Sequence, residues 1–255
     1  TVCVAAMFAA TLALQYHWNF WQFLPLVLAV GCRLVLFMGI LIQIFKLQPF
    51  FVTLGGMFLA RGLCYVISID SISITEPSFT ALSEYRMSLG EETFISTGAL
   101  IAVVILLIGI YVAHFTRFGR TVYAIGGNER SAMLMGLPVG RTKIMVYVLS
   151  GFCSSLGGVL VTLYMQSGYG LHALGMELDA IAAAVIGGTL LTGGVGYLAG
   201  TLVGVMILGV IQTLIAFDGE LSSWWTRIGI GALLFVFCLL QRMLERSSKK
   251  IQAKS

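Results

Sequence analysis

The sequence predicts an all-α protein built as a polytopic bundle of membrane helices. Of its 255 residues, 58% are apolar and only 10% are charged, whereas soluble domains are roughly 45–50% apolar and about 25% charged. The mean hydropathy is +0.97, and the apolar residues fall in long runs. At about 20 residues for each crossing, the chain has room for roughly eight crossings and for no additional soluble enzyme domain.

Seven apolar runs follow one another along the chain. The first has no basic leader of the kind that signal peptides carry, so we expect the chain to begin inside a longer protein. Trp18 and Trp21 stand at the start of the second run as interfacial anchors, and Lys46 and Pro49 mark the turn into the third. The runs cover residues 1–16, 20–45, 50–69, 94–111, 144–166, 195–217 and 224–240.

An eighth apolar segment, residues 177–194, is short and rich in Ala and Gly. Basic residues gather in the 114–143 loop and in the tail 242–255, and most acidic residues lie in other loops. The positive-inside rule places the basic segments and the C-terminus in the cytoplasm. Without a crossing at residues 177–194, the basic tail would lie outside the cell. This segment must therefore cross the membrane, alone or jointly with a neighbour as a discontinuous helix. We therefore expect a transmembrane domain over residues 1–241, followed by the basic cytoplasmic tail.

The 114–143 loop is roughly thirty residues long, whereas loops in helix bundles usually need two to eight. Its apolar positions predict a short amphipathic helix that Gly136 and Pro138 end. Such a helix either docks in a groove of a partner protein or rests on the membrane surface, and periodicity leaves both open. The apolar positions are Ala132, Met133, Met135 and Leu137.

Three glycines at four-residue spacing lie in the run at 195–217: Gly196, Gly200 and Gly204. On a helix this spacing leaves one flat face, which lets a second helix approach closely. One interpretation is that this face serves only to pack two helices together. The other is that the two helices also slide along this face when the bundle rearranges.

The sequence shows no catalytic or metal-binding motif. Its 5 cysteines and 3 histidines have no ligand spacing such as C-x-x-C or H-E-x-x-H, and it contains no G-x-x-x-x-G-K-[ST] for binding ATP. We therefore expect no enzyme activity, no ATPase site, no cofactor and no bound metal. The net charge of +4 comes mainly from the loop and the tail, which argues against nucleic-acid binding.

Several long stretches resemble the permease subunits of bacterial ABC sugar importers of the ribose, galactose and xylose class. They are the cytoplasmic stretch 123–151, the stretch GMELDAIAAAVIGGTLLTGGVGYLAGTLVG at 175–204, and TLGGMFLARG at 53–62. The stretch 217–242 is similar to the galactofuranose-importer permease in particular. Members of this family carry additional N-terminal helices that have no counterpart in this sequence.

This resemblance implies a transmembrane permease subunit in the bacterial inner (plasma) membrane, surrounded by lipid, that forms the translocation path for a monosaccharide such as galactofuranose. A periplasmic sugar-binding protein delivers the sugar, and a separate ATP-binding subunit drives the helices through the 114–143 loop. A second permease chain completes the path as a heterodimer. The residues assigned to ATPase coupling are Gly126, Asn128, Glu129, Ala132, Gly136 and Lys143.

Three charged residues are candidates for the translocation path or its outer mouth: Arg61, Glu177 and Asp179. Glu177 and Asp179 stand at the predicted outer mouth, where they either contact a sugar or a basic patch of the binding protein, or cap a helix N-terminus. Arg33 and Arg61 interrupt apolar runs at a cost of roughly 2.5–3.5 kcal/mol each. We expect Arg61 to have a structural or pore-lining role inside the bundle, whereas the sequence indicates no partner for Arg33.

Three alternatives remain: an ion-coupled secondary carrier, an intramembrane enzyme and a non-transporting membrane scaffold. A carrier tends to place ionisable residues at the membrane midplane, where this sequence has only Arg33 and Arg61. An enzyme needs a nucleophile and a base, or metal ligands, inside the spans. Copurification of a separate ATP-binding subunit distinguishes the permease from all three.

Overall fold

The computed structural model describes residues 1–16, 20–74, 86–88, 94–171, 173–217 and 223–252. Helices dominate this part of the chain. In chain order they are α1 (Val2–Tyr16), α2 (Phe20–Phe45), α3 (Pro49–Ile67), α4 (Thr97–Phe115), α5 (Arg117–Gly127), α6 (Glu129–Leu134), α7 (Val139–Met165), α8 (Met176–Ile186), α9 (Leu198–Phe217) and α10 (Ser223–Gln252).

Two short antiparallel strand pairs accompany the helices. In chain order the strands are β1 (Ile72–Ser73), β2 (Arg86–Ser88), β3 (Phe94–Ser96) and β4 (Ser167–Gly168). β1 pairs with β4, and β2 pairs with β3. Because the strands are so short and form no larger sheet among the described residues, the predicted all-α class is confirmed.

The predicted apolar runs become helices, but some of their ends differ. α4 begins at Thr97 instead of residue 94, because residues 94–96 pair as β3. α7 begins at Val139, upstream of its apolar run, because the polar turn after Pro138 is helical as well. α10 continues through the predicted start of the tail to Gln252. Hydropathy marks the apolar part of a helix and not its ends.

Within the described residues, five helices are long and apolar enough to cross a membrane. α1 and α10 contain shorter apolar stretches. α4 has no buried residue at all, as expected where lipid solvates apolar side chains. The pattern confirms a polytopic membrane protein, and the total of eight crossings stays a prediction. The five spans are Trp21–Phe45, Pro49–Ile67, Thr97–Phe115, Val139–Met165 and Leu198–Ile215.

The chain divides into two compact units, of which the first comprises residues 1–105 and 138–174. Its centre is α2 packed along α7, with α1 against both. Small residues permit this approach, since Gly151 on α7 faces Val35 on α2. The buried core of this packing consists of Ala5, Ala9, Ala10, Phe23, Val27, Ile74, Val159 and Leu163.

The second unit comprises residues 106–137 and 175–255. Here α8 packs against both α9 and α10. The side chains buried between these helices are Ala182, Ala183, Leu208 and Ile230. This unit contains most of the predicted coupling loop together with the Gly-broken segment, so the candidate site lies in it.

Candidate functional site

The predicted coupling loop is helical for most of its length. α5 follows α4 after Thr116, whose Oγ1 accepts a hydrogen bond from the Gly119 N–H at 3.3 Å and so caps α5. Asn128 caps α6 in the same way, with its Oδ1 accepting from the Ser131 N–H at 3.0 Å. The prediction of one short helix here is therefore incomplete. Thr116 directly before an amphipathic stretch was the signal for α5.

A tight turn closes α6. Gly136 adopts φ +75°, its N–H donates to the Met133 carbonyl at 3.0 Å, and the Leu137 N–H donates to the Ala132 carbonyl at 3.2 Å. These two bonds form a Schellman motif, which needs a left-handed residue at the position of Gly136. The helix is thus shorter than expected, because Met135 and Leu137 lie in the turn.

Three consecutive apolar side chains are exposed where α6 ends. Met133, Leu134 and Met135 are 60%, 89% and 68% exposed, whereas Ala132 is fully buried. Ala132 is therefore the buried apolar residue of α6, and the three exposed residues form what we term the apolar tip. Exposed Arg130 adds positive charge beside it. Such a surface fits an apolar groove on a partner protein.

The remaining coupling residues divide between the two units. Glu129 is exposed in the first turn of α6, where the helix dipole favours a negative charge. Lys143 is half-buried on α7 and belongs to the first unit. The other predicted coupling residues lie in the second unit, on α5, on α6 or at the ends of these two helices. They are Gly126, Asn128, Glu129, Ala132 and Gly136.

The predicted Gly-broken segment is confirmed. α8 ends at Ile186, and the chain is non-helical over residues 187–197, termed the break below. The side-chain amide of Gln241 on α10 donates to the Val185 and Thr189 carbonyls, each at 3.2 Å. Carbonyl groups at a helix end lack intrahelical partners, so Gln241 holds the end of α8 and the start of the break together.

α5 lies against this break. The Tyr123 hydroxyl donates to the Gly196 carbonyl at 2.8 Å. The His114 ring stacks against both Tyr123 and Tyr197, with centroids 6.1 and 6.2 Å away. The predicted cytoplasmic loop and the break therefore share one side of the second unit. No local pattern in the sequence marks Tyr123 as a site residue.

Only two of the three predicted glycines share a helix face. A Cβ on Gly200 would overlap the Gly187 carbonyl, and one on Gly204 would overlap the Ala183 carbonyl. α8 and α9 thus meet backbone to backbone in antiparallel order, as expected for small residues at a helix interface. Gly196 precedes α9 and lies in the break, so the prediction of one face that includes all three glycines is wrong.

The two acidic residues at the predicted outer mouth lie in the first turn of α8. Gly175 is the N-cap of this helix, so the interpretation of Glu177 or Asp179 as its capping residue is wrong. Both carboxylates nevertheless stand where the helix dipole favours negative charge. Glu177 is exposed, and Asp179 is half-buried and interacts electrostatically with Arg227 on α10. Contact with a sugar or a binding protein stays a prediction.

The two intramembrane arginines lie in different surroundings. Arg61 is half-buried on α3 and takes part in a polar or electrostatic interaction, and its structural or pore-lining role stays a prediction. Arg33 is exposed at the middle of α2. Within the described residues, its guanidinium has no hydrogen-bond or ion-pair partner.

In the part of the chain that the structure describes, no three His, Cys, Asp or Glu side chains lie close enough to hold a metal. All the cysteines are free thiols. Some residues on which the predicted topology and site depend lie outside the described part. They are Trp18, the histidines at 17 and 172, the acidic residues between 76 and 92, those at 218 and 220, and the C-terminal Ser255.

The described residues define a polytopic helical membrane protein with a capped, exposed apolar tip in a basic loop. The family model described as "Branched-chain amino acid transport system / permease component" matches residues 1–238. The chain belongs to this family, and the resemblance to ABC importer permeases is confirmed.

Similar proteins include the inner membrane ABC transporter permease protein YjfF of Escherichia coli (strain K12), 51% identical over 86% of this chain. The fructose import permease protein FruG of Bifidobacterium longum is 39% identical over 85% of it. The ribose import permease protein RbsC of Bacillus subtilis is 38% identical over 80%. The chain spans 66%, 65% and 62% of these relatives, slightly less than two thirds of each. No solved structure matches the chain significantly.

Proposed function

We propose that this chain is the transmembrane permease subunit of an ATP-driven sugar importer in the bacterial inner membrane. The observation that carries the proposal is the apolar tip, which stands in a basic loop between the Asn128 cap and the turn at Gly136. The names of two relatives, import permeases for fructose and for ribose, support a sugar as the substrate class.

The dimensions of α6 favour docking in a partner over lying on the membrane. An interfacial helix lays an apolar face along one side into the membrane surface, whereas α6 has only six residues and is about 9 Å long. Its exposed apolar residues cover its end instead of one side. The family resemblance implies that this partner is the separate ATP-binding subunit, which takes the apolar tip into a groove.

The other parts of the proposal rest on the family resemblance. A periplasmic binding protein delivers the sugar near Glu177 and Asp179, and a second, different permease chain forms the other half of the path. The similarity of residues 217–242 to the galactofuranose-importer permease supports galactofuranose as the sugar. Closure of the ATP-binding subunits presses on the apolar tip and tilts the helices between outward-facing and inward-facing states.

Replacing Leu134 by Asp tests the docking surface. A carboxylate in an apolar groove loses its hydration without gaining a partner, so we expect the amount of copurified ATP-binding subunit to fall about tenfold or more, which corresponds to at least about 1.4 kcal/mol. The measurement is affinity purification of the tagged chain from membranes. Leu134→Met is the matched control and is expected to retain the subunit. Equal recovery with Leu134→Asp would exclude the apolar tip as the docking surface.

The proposed orientation places residue 128 and the C-terminus in the cytoplasm and residues 78 and 219 in the periplasm. We expect a single cysteine at Ser78, in a chain without its native cysteines, to react with a membrane-impermeant maleimide added from outside. A cysteine at Asn128 is expected to react only after the membrane is permeabilised. Labelling of the cysteine at 128 but not of the one at 78 would reverse the orientation.

A further inference from the structure

α5 and the break are fastened together at more than one point, although they are distant in the sequence. The Tyr123 hydroxyl bonds the Gly196 carbonyl at 2.8 Å across 73 positions. At the C-terminal end of α5, the backbone itself meets the break. A Cβ placed on Gly126 would lie only 2.6 Å from the Gly194 nitrogen.

The contact at Gly126 leaves no side chain between the two backbones. Close-packed protein interiors have low compressibility and transmit strain, and a backbone contact cannot yield through a change of rotamer. A displacement of α5 must therefore either move the break or separate the two elements, which breaks the Tyr123 hydrogen bond.

The break is in turn fixed to the neighbouring helices of the second unit. Gly187, its first residue, meets the backbone of Gly200 on α9. Gln241 on α10 holds Val185 and Thr189 on either side of that residue. A continuous series of contacts thus leads from α5 through the break to the facing ends of α8 and α9.

We propose that Tyr123 and Gly126 fasten α5 to the break, so that a displacement of the cytoplasmic loop is carried directly to the α8–α9 pair. This inference rests on the proposed function, because the displacement comes from the ATP-binding subunit. Tyr123 is then a positioning residue: it contacts neither sugar nor nucleotide, and its loss lowers the amount of sugar moved for each ATP hydrolysed.

Tyr123→Phe removes one hydroxyl and keeps the ring. The chain is reconstituted in liposomes with the ATP-binding subunit and binding protein of its own importer. Uptake of radiolabelled galactose, ribose, fructose and L-arabinose is measured beside ATP hydrolysis. Loss of one hydrogen bond is expected to lower the ratio of sugar imported to ATP hydrolysed about fivefold, with hydrolysis itself within about twofold of wild type. Tyr111→Phe is the matched control, because no hydrogen bond of the Tyr111 hydroxyl is found within the described residues.

A second pair of variants tests the backbone contact. Gly126→Ala places a methyl group against Gly194, whereas a Cβ on the adjacent Gly127 meets nothing within 4 Å. We expect Gly126→Ala to lower the same ratio and Gly127→Ala to leave it unchanged. Both substitutions exchange Gly for Ala at the end of the same helix. A difference between their ratios of sugar imported to ATP hydrolysed therefore reports the contact with the break.

The outcomes separate this inference from the proposed function. If the wild-type chain neither assembles with an ATP-binding subunit nor imports any of these sugars, the proposed function fails, and this inference fails with it. Suppose instead that the wild-type chain imports sugar and that Tyr123→Phe and Gly126→Ala both show the wild-type ratio of sugar imported to ATP hydrolysed. In that case only this inference is overturned. An equal fall of import and hydrolysis, with the ratio unchanged, indicates a purely structural role and also overturns it.

Discussion

Alanine in place of Gly204 is expected to destabilise the chain. The added Cβ would overlap the Ala183 carbonyl oxygen and lie 3.0 Å from its carbon and 3.1 Å from the Gly187 nitrogen. All three are backbone atoms of α8 or of the first residue of the break, so α8 and α9 must separate to make room. Overpacking of this kind typically costs about 1–3 kcal/mol, which a thermal unfolding measurement in detergent detects as a lower transition temperature.

Gly209 on the same helix supplies the matched control. A Cβ there meets nothing within 4 Å, so Gly209→Ala removes a glycine from α9 without crowding a neighbour. We expect its transition temperature to equal or exceed that of the wild type, since Ala is the better helix former. Equal stability of the Gly204 and Gly209 variants would contradict close packing of α8 on α9.

Tryptophan in place of Gly136 is expected to abolish sugar uptake while the chain still inserts into the membrane. Left-handed backbone conformation costs a residue with a Cβ roughly 1–2 kcal/mol, and Gly136 has φ +75°. The Schellman turn is therefore displaced, and the indole adds bulk beside the apolar tip. Insertion is unaffected because open space surrounds this position within the chain.

Asparagine in place of Gly136 separates the effect of the backbone conformation from the effect of side-chain size. Asn adopts the left-handed region more readily than other residues with a side chain, so Gly136→Asn is expected to keep most of the uptake. The measurements are import of radiolabelled sugar in a strain that lacks the native permease and the amount of chain in the membrane fraction. Normal import by Gly136→Trp, with the ATP-binding subunit still bound, would exclude the turn from coupling.

Most helix positions follow from the sequence because hydropathy and turn residues act locally. The run at residues 20–45 becomes α2 with the same ends, since Lys46 and the turn before Pro49 follow its last apolar residue. The boundaries of α4 and α7 differ because hydropathy does not register a strand pair or a helical polar turn. α5 was missed because its amphipathic pattern lies within a basic loop.

The candidate site was predictable only in part. The turn at Gly136 follows from a glycine before Pro138, which is a local signal for the end of a helix. The roles of Tyr123 and Gln241 follow from contacts to the break. Neither residue belongs to a motif, so no pattern along the chain distinguishes either from any other tyrosine or glutamine.

The membrane class, the helical architecture, the basic loop and the family are predictable from the amino-acid sequence alone, because composition, hydropathy and long motifs are read along the chain. The contacts of each glycine with a neighbouring backbone, and the groups that hold the break, depend on how the helices pack. Glycines at regular spacing are equivalent in sequence, but Gly200 and Gly204 contact α8 whereas Gly196 lies before α9 begins. Helix packing sets these contacts, because it joins residues as distant as Tyr123 and Gly196.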